Sequence, residues 1–422
     1  MKTYGPMAIA ACAALRVMAA PSAPAAGNSA ALIERAQAVV AGMLLEQPNY
    51  TCVMTTERTR REHRDRHFTL LDRLRLEVAF VGGDELFSWP GAEHFEARDP
   101  GAMAGGEGAV GTGDFGLHLK HTYTEGLPLR FDGPVTLDKR PALKFSQRVE
   151  KAQSRHQVRV NNQRVLVGYD AQAWHAADTL ELLRFELYVD DIPKELRVRS
   201  SRKSIEYHSV NVGGHPFQLP AVTDLSMVYR DGREDRAVTR FSSCHQFSGE
   251  STISFEDPAP VAKTTARPEY VNLPAGLHVS AQLDAGLDLL TTARGDLIAM
   301  TVTASAGGSG APAPGAKLAV RIERIACDGP PAHSCFAMLK PEKFTEGNRT
   351  GKFRAELEEP SIEKSLMAAG RWNGGNYRVF NPDEFWSTAE DVARLFLPKA
   401  TNLPRGYPFV WRTLEVSGDP KP

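Results

Sequence analysis

The residues best equipped for chemistry crowd into one stretch, "CVMTTERTRREHRDRH" at 52–67, which holds five arginines, two histidines and a cysteine. His63 and His67 stand four apart, the spacing of a zinc-binding pair. Zinc hydrolases place a glutamate directly after the first histidine, however, and here that residue is Arg64. No third ligand is near, so no metal is expected. The arginines are interspersed with Glu57, Glu62 and Asp65, so the stretch reads as a solvated strand and hairpin tip.

Other candidates also lack partners. Cys327, His333 and Cys335 supply three ligands where a structural zinc site needs four. "GTGDFG" satisfies G-x-G-x-x-G at Gly111, Gly113 and Gly116. A dinucleotide site requires a strand before it and a helix after it, so that helix-start amides face the pyrophosphate. The preceding "DPGAMAGGEGAV" is no strand, and the residues after the motif are not convincingly helical. The segment therefore reads as a loop at a sheet's mouth that could gate a cavity. G-x-S-x-G is absent, and the S-x-x-K matches at Ser200/Lys203 and Ser361/Lys364 lack companion motifs. His118 and His121 of "HLKH", with the acid pairs Asp190-Asp191 and Glu358-Glu359, read as exposed or turn residues. No catalytic set assembles, and no enzyme activity, metal or cofactor is expected.

Seven aromatic residues are candidates of another kind: Phe80, Phe87, Trp89, Trp174, Phe185, Tyr207 and Phe217. All lie where hydrophobicity has a period of two. They are the candidate lining of an apolar pocket between a curled sheet and a helix. Ordinary core packing is the competing reading, because sheets favour aromatic residues.

Patterning predicts the elements that must position them. Apolar residues at helical spacing from Leu32 to Leu44, with Ser29 as N-cap and Pro48 as terminator, predict one amphipathic helix. From residue 50 to about 255 the period is two, with turn chemistry at Gly82-Gly83, Asn161-Asn162, Asp190-Asp191, Gly213-Gly214 and Asp231-Gly232. Successive hairpins make an antiparallel meander. One helix cannot cover such a sheet, so the sheet must curl around it or leave an apolar concavity. Residues 257–268 read as a linker, and 269–422 as a second, smaller β-rich unit with appended helices at 361–369 and 383–397. The expected fold class is therefore mainly β (α+β): a helix packed in a curled antiparallel half-barrel at 27–256, then the β-rich unit.

Composition bounds the partners. Lys plus Arg is 50 against 51 for Asp plus Glu, which argues against nucleic acid. Residues 1–26 read as a secretory signal with a short apolar run ending in small residues; "IAAC" at 9–12 resembles a lipoprotein box with little apolar sequence before it. No later segment is apolar for long enough to span a bilayer. An exported, periplasmic or secreted address makes disulfides the natural state of the remaining Cys52, Cys244, Cys327 and Cys335. Cys327 and Cys335 flank a turn-rich "DGPPAHS" and are paired on that ground, which leaves Cys52 with Cys244.

The phrases "WHAADTLELLRFELYVDD" and "EYHSVNVGGHPFQLPAVTDLSMVY" resemble the lipoprotein-carrier (LolA-type) superfamily over residues 30 to 247. The matching features are the turn at Asp178 to Glu181, the pair Leu183-Arg184, and Pro216, Phe217 and Pro220. The resemblance implies an incomplete β-barrel over a helix, with a cavity for acyl chains. The whole chain is similar to uncharacterised exported bacterial proteins with phrases such as "GTGDFGLHL", and its second unit resembles β-modules of envelope secretion channels. The expected function is binding of a lipid or other apolar ligand. A structural or adaptor role toward envelope proteins is the alternative, and a hydrolase without recognisable motif is third.

Overall fold

The computed structural model describes residues 26–247 and 268–416, except 83, 93, 96, 98, 105–108, 111–114, 161–162, 328–334, 361–391 and 398–400. The expected leader up to residue 25, the linker up to residue 267, the helix at 361–369, Gly111, Gly113 and His333 lie outside the described residues.

Helix α1 (Ala26–Glu46) buries Ala36 and Val40 on the predicted stripe. Ser29 lies inside it and is not its cap. Twelve strands come after it: β1 (Tyr50–Arg61), β2 (Thr69–Val81), β3 (Asp84–Ser88), β4 (Arg130–Leu137), β5 (Arg140–Val149), β6 (Gln157–Val160), β7 (Gln163–Leu166), β8 (Tyr169–Ala176), β9 (Leu182–Val189), β10 (Val198–Val212), β11 (His215–Tyr229) and β12 (Glu234–Gln246). Ten form one antiparallel sheet, curled into a half-barrel, in the order β3-β2-β1-β12-β11-β10-β9-β8-β5-β4, while β6 and β7 make a separate hairpin.

Strand order decides how the hollow is covered. Strands β3 and β4 are consecutive in sequence yet occupy opposite edges, so residues 89–129 must cross the sheet. The crossover carries two helices, α2 (Pro100–Ala104) and α3 (Phe115–Tyr123), and α3 packs on α1. The expected single covering helix is thus corrected to three. Residues 115–123 do not declare themselves a helix in the sequence because a glycine-rich lead-in precedes them and their buried face is polar as well as apolar.

Register arranges the concave face in transverse rows. Phe145, Ala173, Phe185, Ile205, Thr223, Thr239, Thr56 and Leu74 are successive partners across eight strands. All eight are buried. Thr56 and Thr239 share a hydroxyl–hydroxyl hydrogen bond of 2.8 Å, which satisfies two polar groups within this row.

The second unit comprises β13 (Glu269–Tyr270), β14 (His278–Leu283), β15 (Leu287–Asp288), β16 (Leu297–Ala306), β17 (Lys317–Cys327), β18 (Cys335–Glu346), β19 (Arg349–Lys352), β20 (Ala355–Glu359), β21 (Ala393–Leu397), β22 (Asn402–Leu403) and β23 (Pro408–Thr413). Nine form a sheet ordered β13-β19-β18-β17-β16-β14-β23-β20, with β21 also on β18, around one core that includes Trp411, Phe409, Phe353 and Phe344. Ala393–Leu397 was expected as the end of a helix. "ARLFL" suits either period, and pairing with Cys335–Leu339 of β18 decides for a strand. Among the described residues no helix is long and apolar enough to cross a membrane.

Both expected disulfides form. Cys52 and Cys244 are joined at a bulge, where the β1–β12 register shifts between Thr51 and Val53 and Ser243 has a φ of 50°. Cys327 and Cys335 are direct partners in the β17–β18 hairpin.

The two sheets are in contact. Arg294 of the second unit pairs with the open flank of β2: its N–H donates to Arg73 O, and Arg75 N–H donates to its carbonyl, both at 2.8 Å. Arg75 also reaches Asp296 at 2.5 Å.

Candidate functional site

The apolar residues under the half-barrel form two clusters rather than one. The first contains Val40 of α1, Leu119 and Tyr123 of α3, and Tyr169, Phe185, Ile205 and Tyr207 of the sheet. The second contains Met103 and Ala104 of α2 with Tyr50, Met54, Leu76, Val78 and Phe87. The crossover passes between them, with Ala109 in the first cluster and Val110 against the second. Phe80 and Phe241 pack against both clusters, yet each is only half-buried. Phe80 stacks on Tyr50 with ring centroids 4.4 Å apart. Met43 and Leu44, near the end of α1, flank the first cluster and are half-buried too. This seam is the candidate site.

The seven predicted residues divide around it. Phe80 lies on the seam and Tyr207 beside it in the first cluster; Phe217 packs half-buried on the second. Phe87 and Phe185 are sealed in the two clusters, at 1% and 0% exposure. Trp174 is on the opposite face, with Lys144 5.2 Å from its ring centre and Arg184 as strand partner. Trp89 lies at the junction of the two sheets, with the guanidinium carbons of Arg294 and Arg321 at 5.5 and 5.9 Å from its ring. The structure thus brings Phe80, Phe87, Trp89, Phe185, Tyr207 and Phe217 to the two clusters, Trp89 where the second cluster meets the junction of the sheets, and does not bring Trp174 there. Sequence reading missed Tyr50 and Phe241. Phe241 shares its strand face with Asp235, Ala237 and Thr239, which masks it as an apolar position.

Polar groups cluster beneath α3. His118 and His121 are buried at 2% and 4% exposure, which corrects their reading as exposed or turn residues. Helix and strand exchange two His–Tyr pairs. His121 Nδ1 is 2.8 Å from the Tyr169 hydroxyl, and the Tyr123 hydroxyl is 2.7 Å from His175 Nε2. His175 Nδ1 is 2.8 Å from Leu180 O, a pure acceptor, so Nδ1 carries the proton and Nε2 accepts from Tyr123. Burial pushes the His175 pKa down to about 4, opposed by the Leu180 hydrogen bond. Burial, with Glu125 nearby, pushes Tyr169 up to about 12. These values keep both groups neutral at pH 7. Among the described residues no group of three His, Cys, Asp or Glu side chains could hold a metal ion.

The arginine-rich stretch at 52–67 divides between exposed tip and paired strand. Residues 62–67 are exposed, as expected of a hairpin tip. Arg58, however, is 3% exposed and donates through Nε to Asp72 at 2.6 Å. Arg60 donates to the buried Asp235 at 2.7 and 3.2 Å. The strand part is therefore not wholly solvated. On the outer face a recess of about 350 Å³ is lined by ion pairs that compensate one another. They are Arg202–Glu186 at 2.8 Å, Arg184–Glu206 at 3.0 Å and Arg236–Asp224 at 2.5 Å.

No family model and no curated protein matches this chain. Among solved structures, a DUF1329 family protein from Desulfovibrio piger is similar at 14% identity, covering 53% of this chain and 97% of that one with a TM-score of 0.30.

Proposed function

We propose that this is an exported, non-catalytic protein that binds a lipid or other apolar ligand on the concave face of the half-barrel, at the seam between its two core clusters. The observation that carries the reading is the position of Phe80 and Phe241. Each packs against both clusters, and each is only half-buried where a single packed core would have sealed it. The curled sheet supplies the concavity, and α1 and the crossover supply its cover. The two disulfides support the exported address. The likeness of residues 30–247 to the lipoprotein-carrier superfamily supports an acyl chain as the guest.

Titration with a fluorescent alkyl probe, together with native mass spectrometry of the purified protein, tests this. Saturable one-to-one binding is expected. Phe241→Asp places a charge on the seam and weakens binding at least tenfold, while Trp174→Asp, on the far face, leaves it unchanged. Absence of saturable binding, or equal loss in both variants, contradicts the reading. A stoichiometric crosslinked protein partner with no bound lipid would favour an envelope adaptor instead.

A further inference from the structure

Strand β10 outruns one of its two neighbours. Its pairing with β11 extends from Val198 to Val212, but its pairing with β9 covers only Ser201 to Glu206. From Tyr207 to Val212, no strand among the described residues pairs with β10 on the β9 side. No turn or loop backbone bonds to this segment there either. Sheets blunt such open edges with prolines, charges or bulges, because an open edge recruits another strand. The outermost strand β4 is blunted in that way, by Pro134, a register shift beside Gly133, and Arg130 and Asp132. By contrast, "YHSVNV" at 207–212 has no proline, lysine or carboxylate. Its one register shift lies at its start, between Glu206 and Tyr207. His208, Ser209 and Asn211 are exposed.

A recess of about 410 Å³ lies along this edge, lined by His208 and Ser209 of β10, Gln218 of β11, and Asp138, Glu181 and Arg184. Its wall is complementary to a peptide backbone. Arg184 Nε is a buried donor and Gln218 Oε1 a buried acceptor, and neither has a hydrogen-bond partner among the described residues. An extended chain supplies a carbonyl for the one and an N–H for the other. The wall also carries a carboxylate without a counterion. Arg184 pairs with Asp138 and Glu206, and Arg140 with Asp178. Glu181, half-buried beside them, has no ion pair among the described residues.

We infer that residues 207–212 are a docking edge for an extended segment of a partner protein, which adds a strand to β10 on the β9 side and sets a lysine or arginine against Glu181. Main-chain hydrogen bonds supply most of the affinity. The ion pair with Glu181, at the rim of the recess, contributes modestly and favours segments that carry a basic residue. This edge is separate from the seam, and docking here requires no ligand there.

The probe is a synthetic peptide of about seven residues, alternating threonine and valine with one terminal lysine, added to the full chain. Saturable one-to-one binding is expected. Hydrogen exchange of amides within 207–212 should slow at least tenfold, while that of β4 stays unchanged. The same peptide N-methylated at alternate peptide nitrogens keeps its side chains but loses its strand donors, and should bind at least tenfold more weakly. Glu181→Gln should weaken the unmodified peptide about two- to fivefold. Equal binding of the two peptides overturns strand addition, as does protection on β4 in place of 207–212. Unchanged affinity in Glu181→Gln overturns the placement of the basic residue. No saturable binding of the unmodified peptide removes the docking edge altogether. A dimer of the chain that protects 207–212 without peptide makes a second copy the occupant and overturns the partner segment.

Discussion

A neutral imidazole locked between Tyr123 and the Leu180 carbonyl makes His175 a determinant of acid stability. Its pKa falls from an ordinary value of 6.5 to about 4 on folding. The unfolded chain therefore binds a proton that the folded chain refuses. Stability is full above pH 6.5 and declines as pH falls toward 4, by at most about 3 kcal/mol. Denaturant unfolding at pH 7, 5.5 and 4 checks this: His175→Gln flattens the decline, and an undiminished slope in that variant contradicts the assignment. Tyr123→Phe leaves His175 Nε2 without its donor and should cost about 1–2 kcal/mol at pH 7. At this scale the sequence was readable only where side-chain parity was clean. Phe185 alternates with Arg184 and Glu186 and faces inward as its pattern implies. Trp174 shares parity with Asp170 and Gln172, and that polar company marks the outer face. Attention to aromatic type alone places it on the wrong side.

Among elements, alternation identified the strands of both sheets, and the spacing from Leu32 to Leu44 identified α1. Sheet order was not legible, because local pattern says nothing about which strands lie at the edges. Placement of β3 and β4 at opposite edges obliges residues 89–129 to span the hollow, and that one topological fact brings α2 and α3 to the site. The cysteines were legible because an even count beyond the expected leader leaves few pairings. The Cys52–Cys244 bond has a sequence separation of 192 and ties the strand after α1 to the last strand of the half-barrel. Its removal in Cys52→Ala/Cys244→Ala should cost roughly 2–5 kcal/mol. Chemical unfolding measures it, and a loss below about 1 kcal/mol contradicts a structural role. Cys52, Cys244, Cys327 and Cys335 should react with a thiol reagent in denaturant only after reduction; labelling before reduction counts against the pairing.

For the whole molecule, the junction between the sheets is built from specific contacts. Arg321 is 4% exposed, donates to Gly295 O at 2.8 Å and Pro90 O at 3.1 Å, and is held by Glu342 at 2.6 and 2.7 Å. Gly295 has a φ of 97°, and a Cβ there would lie 2.3 Å from Arg75 O and 2.8 Å from the Trp89 ring, so only glycine lets the chains approach. Trp89, with two guanidiniums within 6 Å of its ring, contributes on the order of 1–3 kcal/mol to the coupling. Calorimetry of the native chain should show one cooperative transition, and Trp89→Ala should split it in two; a single unchanged transition contradicts the coupling. The junction was not legible in the sequence, because Trp89 and Arg294 are far apart in sequence and neither position is apolar on both sides. The seating of an apolar chain on this molecule is tested most directly by photolabelling with a diazirine-tailed alkyl probe, then peptide mapping. Saturable labels at Met43, Leu44, Phe80 and Phe241, displaced by unlabelled lipid, are the predicted result. Labels confined to the second sheet or the outer face, or labels that never saturate, would contradict it.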